Sequence, residues 1–279
     1  MNRIRKVAVL GLALLLAIGL SGCVSSLPGS GDGADGTDGA DGADGEAVEL
    51  KEEMRGAMED VETYQVEMDM DIEIEDGDQS VDMRMEGTFD RADEKAEMTV
   101  ELRGQRVTTY IDGQTMYAET GYGGWQNQEM DEDPWKEGNA TTWESQEAIL
   151  DDGDIEVAGT ETVDGESTTV LEVDITAEEF KKAMSTRQTG SASASIESVD
   201  DIEYKIYVSE DTDRVRKIEM TMTADVDTRQ GVKTVDYDIT MTFSDYNDDV
   251  TIEIPEDAKE RLTPATASVT AATAASTPV

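Results

Sequence analysis

The chain has 279 residues, of which 65 are Asp or Glu and 22 are Lys or Arg, with no His, one Cys and a formal net charge of −43. Without histidine there is no Ser-His-Asp or Cys-His catalysis and no His-ligated metal centre, and a single cysteine makes neither an intrachain disulfide nor a multi-thiolate site. So negative a surface repels phosphate backbones, which argues against direct nucleic-acid binding.

Arg3, Arg5 and Lys6 precede an apolar run from Val7 to Leu20, which ends in Leu20-Ser21-Gly22-Cys23. A basic flank, a short apolar core and small residues before the cut read as a signal peptide over residues 1–22. The run is too short for a membrane span, which needs about 20 apolar residues. Small residues directly before the chain's only cysteine resemble a lipobox, and that resemblance implies that Cys23 carries the lipid and becomes the new N-terminus. The chain is then held at the extracytoplasmic face of the cell membrane. Removing residues 1–22 takes away three basic residues and no acidic ones, so 19 basic residues face 65 acidic ones and the net charge becomes −46. At molar salt the Debye length is about 3 Å, which screens such a surface. The composition resembles that of haloarchaeal secreted proteins and leads to the expectation that the domain folds in concentrated salt.

Residues 23–46 hold the lipidated cysteine and a Gly/Asp-rich flexible tether; Asp at every third position is not the alternating ligand pattern of a calcium loop. Residues 47–262 form one domain, and residues 263–279 are a disordered Thr/Ala/Ser/Pro tail. Within the domain, Leu50, Met54, Ala57, Met58 and Val61 recur at helical spacing, giving a helix over 47–61 with one apolar face. The period then becomes two. Tyr64, Val66, Met68, Met70, Ile72 and Ile74 alternate with polar residues, and after Asp76-Gly77-Asp78 the pattern repeats in Val81, Met83, Met85 and Phe89, with Gly87 permitting a bend. Strands follow over 96–102 and 107–111, with a turn at Asp112-Gly113 into Met116 and Ala118. Residues 121–150 break the meander; they contain the three tryptophans, Trp125, Trp135 and Trp143, at least two of them expected as core anchors, and a helix over about 139–150. Strands resume at Ile155, turn at Asp164-Gly165 and continue through 171–175, 202–208, 218–226 and 235–243, with a short helix over 177–186. The result is a β-rich α+β fold: about ten antiparallel strands in a strongly curved half-barrel, with a few helices over the concave face.

Three features carry a family resemblance. The ending Phe243-Ser244-Asp245-Tyr246 through Val250, Ile252, Ile254, Pro255 and Ala258 resembles that of the LolA-like lipoprotein carriers, especially mycobacterial lipid-carrying lipoproteins. An N-terminal helix leads into a long strand at Tyr64, and a hairpin with Tyr117 is followed by Trp125. The run Val208-Ser209-Glu210-Asp211-Thr212, then Val215 and Lys217, is similar to a turn of that family, with Ser209 and Glu210 departing from it. The resemblance spans most of residues 47–262. It implies a LolA-like half-barrel around an apolar cavity that carries acyl chains, with no catalytic residues and no cofactor to transfer.

Nine of the 14 methionines, Met68, Met70, Met83, Met85, Met98, Met116, Met220, Met222 and Met241, fall at the apolar phase of alternating strands. Met is unbranched and adaptable, which suits a surface that accepts varied apolar ligands and equally suits plain core filling. The Met-x-Met pairs are also a thioether arrangement for Cu(I), but alternation alone accounts for their spacing, so no metal site is assigned. Asn139-Ala140-Thr141 is an N-glycosylation sequon. The acidic residues offer many carboxylate pairs and no reason to select one as catalytic. The expectation is a non-enzymatic lipoprotein that binds or carries a lipid in its half-barrel. The alternative is a cell-surface interaction module with a solidly packed core.

Overall fold

A computed structural model describes residues 43–75, 80–120, 124–130, 133–135, 146, 149–151, 153–180, 196–228 and 231–260. Cys23, Asp76-Gly77-Asp78, Asn139 and Trp143 lie outside the described residues, as do both ends of the chain, residues 181–195 and most of the helix expected over 139–150.

Helix α1 (Ala43–Glu59) opens the described fold and buries Ala47, Met54 and Met58, with Val61 just beyond its end. Eleven strands follow: β1 (Thr63–Ile74), β2 (Ser80–Asp90), β3 (Lys95–Leu102), β4 (Gln105–Asp112), β5 (Thr115–Thr120), β6 (Gly124–Glu129), β7 (Asp154–Val163), β8 (Glu166–Asp174), β9 (Ile196–Ser209), β10 (Val215–Thr228) and β11 (Gly231–Ser244). They form one antiparallel sheet in the order β6-β5-β4-β3-β2-β1-β11-β10-β9-β8-β7. Every neighbour but one is also a neighbour in sequence. The exception, β1 against β11, joins two meandering wings at the centre, and β6 and β7 remain as edges, so the sheet is open. A sheet of this many twisted strands curls, and α1 packs over its concave, core-bearing face beside β7.

Against the expectation of about ten strands, the described residues form eleven. The additional strand is β6, Gly-Trp-Gln-Asn-Gln-Glu. It carries no apolar alternation because it is an edge strand; only Asn127 is buried along it. Ladder bonds to β5, from Thr115↔Glu129 to Thr120↔Gly124, define it instead of a hydrophobic pattern.

Beyond β11 the chain turns through Asp245 and Asn247, both with φ above 50°. The Asn247 N–H donates to the Thr63 carbonyl at 2.8 Å, and its side-chain Oδ1 accepts from the Glu62 N–H at 2.8 Å. The chain then lays Ile252, Ile254 and the short helix α2 (Glu256–Lys259) against Tyr110, with Tyr117 and Trp125 beside them. Register sets these aromatic residues on the face opposite the main core. The family-like ending is therefore a strap that supplies a second, smaller core on the convex side.

Candidate functional site

Cross-strand register decides which side chains share a face. Met68 is paired with Met85 and Met241, Met70 with Met83 and Ile239, and Ile72 with Val81 and Tyr237. Ile239 is paired in turn with Met220, and Tyr237 with Met222. Met98 stands opposite Gly87, the partner of Val66, while Met116 reaches the same face through Ile111 and Ala96. All nine methionines thus lie on one continuous sheet face, the face of the main core.

They are not equally covered. Met83, Met222 and Met241 are buried, at 6%, 8% and 3% exposed, and the last two belong to the main core cluster, whereas Met68, Met70, Met85, Met98, Met116 and Met220 are half-buried at its margin. Along β1 the cover changes with position. Tyr64 and Val66 are buried, then Met68, Met70, Ile72 and Ile74 are all half-buried while the residues between them are exposed. Val100 and Leu102 of β3 and Val107 of β4 are also half-buried. The wing β1–β5 therefore presents an incompletely covered hydrocarbon and thioether surface, next to a better covered wing in which Ile206, Ile218, Ala224 and Leu171 are fully buried.

One end of this face is closed by aromatic residues. The Tyr64 and Phe89 rings stack with centroids 4.8 Å apart and planes 8° apart, and Phe243 and Tyr246 lie 6.3 and 6.4 Å from Tyr64. The Tyr246 hydroxyl donates to the Val215 carbonyl, and burial pushes its ionisation well above the ordinary phenol range. Over the concave side, the connection from β6 to β7 is pinned at several points. Trp135 Nε1 donates to the Gly113 carbonyl at 3.0 Å, and the Tyr204 hydroxyl donates to Gln146 Oε1 at 2.6 Å. Arg55 of α1 reaches Asp151 at 2.5 Å, and Lys51 Nζ donates to the Leu150 carbonyl at 2.6 Å. Met130, Ile149, Leu150 and Phe180 complete the cover. Trp135 is the anchor on the main core and Trp125 the one on the convex core, where its ring centroid lies 5.7 Å from that of Tyr110.

The convex face is chemically opposite. On it Asp82, Asp71 and Asp238 stand in register across β2, β1 and β11. A hydrogen bond with Asp82, desolvation and repulsion from Asp82, Asp238 and Asp69 raise the Asp71 carboxyl above the usual range. The β9–β10 turn is built around buried Ser209, whose Oγ accepts from the Asp211 and Thr212 N–H groups at 3.3 and 3.2 Å and donates to Glu166; Glu166 also pairs with Arg216 at 3.0 Å.

The concave face also holds a residue that composition did not single out. Lys233 pairs with Val226 and lies two positions before Val235, so it occupies the apolar phase of β11. Among the ladder-paired residues of β1–β5, β10 and β11, it is the one charged residue on that face. The signal was available in the alternation Lys233, Val235, Tyr237, Ile239, Met241.

Comparison with known proteins then places the chain. A sequence family described as a family of unknown function (DUF6612) matches residues 46–263. The chain belongs to DUF6612. No curated protein matches this DUF6612 chain. Among solved structures it is similar to the Mycobacterium tuberculosis lipoprotein LppX, at 14% identity and a TM-score of 0.48 over 76% of this chain and 100% of that one. It is similar to LprF from Mycobacterium bovis at 14% identity and a TM-score of 0.46, over 76% and 98% of the two chains. A LolA superfamily protein from Nitrosomonas europaea is similar at 12% identity and a TM-score of 0.29, over 74% and 94%.

Proposed function

We propose that this protein is a lipid-anchored, extracytoplasmic carrier or binder of an apolar ligand, non-enzymatic, tethered through Cys23, and that the ligand lies against the Met-bearing face of β1–β5. The observation that supports this reading is the half-buried apolar run Met68, Met70, Ile72 and Ile74, continued laterally by Met85 and Met98. Fully burying a residue of this kind is worth about 1.5–3 kcal/mol relative to exposing it, so a chain laid across several of them gains affinity without a polar partner. Methionine side chains re-pack around ligands of different shape at little cost. The resemblance of the sequence to lipid-carrying lipoproteins points the same way. The Gly/Asp-rich segment before residue 46 is read as the tether between anchor and domain, and the net charge as a surface suited to concentrated salt.

One experiment examines both halves. The full chain with Cys23→Ser is expressed in its host, fractionated, purified from the soluble phase in high salt and examined by native mass spectrometry with organic extraction of the bound material. The expected result is loss of membrane retention together with an extractable apolar adduct on the domain. Unchanged retention overturns the anchor; repeated recovery of ligand-free protein overturns the carrier and favours a cell-surface interaction module with a filled interior.

A further inference from the structure

The two ends of the apolar face differ, and the difference assigns a direction to whatever lies on it. At one end the Tyr64–Phe89 stack, Phe243 and Tyr246 close the concave side, and Tyr64, Val66, Phe89 and Phe243 are each no more than 1% exposed. From Met68 to Ile74 the β1 face is half-buried, a length of about 20 Å at the usual rise of a strand. That exceeds the roughly 15 Å depth of one leaflet of membrane hydrocarbon, so the surface is long enough for an ordinary acyl chain. Lys233 lies at the opposite end from the aromatic closure. Val235, two residues after it on the same face, pairs with Ile74, the last residue of β1.

Lys233 is conspicuous because of its charge surroundings. Among the described residues, the acidic ones nearest to Lys233 in its ladder with β10, Asp225, Asp227 and Asp236, fall on the other phase and so on the convex face; Asp76, next along from the Glu75 that bonds Thr234, lies outside the described residues. Asp225 is moreover committed to Ser198 and Thr234, and Asp236 to Thr223. Among the described residues Lys233 makes no ion pair. It is half-buried, as expected of a lysine that lays its methylene stem along an apolar surface and holds its ammonium at the margin.

We propose that the ligand is an amphiphile with an anionic head group, which lies tail-inward against the Met face with its head at the Lys233 ammonium. The proposal rests on the carrier reading above and adds the polarity and charge of the ligand to it. The hydrocarbon tail runs from Ile74 toward Met68 and stops at the aromatic closure. The negative head remains at the rim, where Lys233 supplies the counter-charge and the neighbouring carboxylates among the described residues of β10 and β11 lie on the other face.

The test compares three probes with the same tail, hexadecanoate, hexadecanol and hexadecyltrimethylammonium, by displacement of an environment-sensitive fluorescent fatty acid from the full chain and from K233Q and K233M, at several salt concentrations. Expected is tighter binding of hexadecanoate than of hexadecanol to the native chain, by about three- to five-fold as for a partly exposed ion pair, and weaker binding of the cation. Both variants lose that preference and keep their affinity for the alcohol, and K233R retains the preference. Binding of hexadecanol with no preference for hexadecanoate, or a preference untouched in K233Q and K233M, overturns the assignment of Lys233 and leaves the carrier reading standing. Failure of all three probes to bind overturns both.

Discussion

Gly87 shows how much a single side chain can decide in this sheet. The sequence suggests a bend there; the structure gives a steric reason for glycine instead. A Cβ at this position would lie 2.8 Å from Phe89 Cε2 and 3.1 Å from Val66 Cγ1. Phe89 cannot withdraw, because its ring is stacked on Tyr64 and buried. Gly87→Val should therefore destabilise the fold by about 2–3 kcal/mol through overpacking, read as a lower urea midpoint at unchanged slope. A midpoint equal to that of the native chain would contradict the steric account. Ser209 is a residue whose role was partly legible. It departs from the family-like turn, yet its hydroxyl accepts the Asp211 and Thr212 N–H groups as a carboxylate there would, and it adds a donor to Glu166. Spacing alone does not reveal Glu166, which is 43 residues away and reaches Ser209 through the sheet.

At the scale of elements, what was legible in the sequence followed amphipathic pattern. Strands β1, β2, β10 and β11 were readable because one face is apolar and the other wet, and α1 because its buried residues recur at three and four. The nine methionines could be assigned to one phase for the same reason. What escaped was set by partners instead of pattern: β6, held by its ladder with β5, and the covering of the convex aromatics by the strap. The division of the methionines into three buried residues and six half-buried ones also depends on what packs over them, which no periodicity contains. The wet face of β1 has its own consequence. Asp71 lies between Asp82 and Asp238, and its carboxyl titrates above its ordinary value in the folded state. The folded chain therefore holds that proton more readily than the unfolded one. The repulsion is absent below the unfolded value and develops as pH rises through the folded one, so at neutral pH the ionised group destabilises. Asp71→Asn should fold at a lower salt concentration than the native chain at pH 7, with the difference vanishing in molar salt and in acid, as followed by circular dichroism. An unchanged or higher salt requirement would contradict this account of the convex face.

For the whole molecule, charge and hydrocarbon are divided between two faces of one sheet. The convex side bears carboxylates and a strap, while the concave sheet face bears methionines, aliphatic residues and, among its ladder-paired residues in β1–β5, β10 and β11, one lysine. The division is what allows a chain with a net charge of −43 to keep one sheet face apolar: the carboxylates are displaced by one residue along each strand and lie on the other face. The open sheet, joined at β1 and β11, leaves the wing β1–β5 less covered than the wing that carries β8 to β10. The central claim is that this less covered wing holds the ligand. Its most direct test is photolabelling of the purified domain in high salt with a diazirine-bearing fatty acid, followed by peptide mapping. The account predicts adducts on the peptides carrying Met68, Met70, Met85 and Met98 that are competed away by unlabelled fatty acid. Labelling confined to the strap around Ile252 and Ile254, or spread over the convex face without competition, would contradict it.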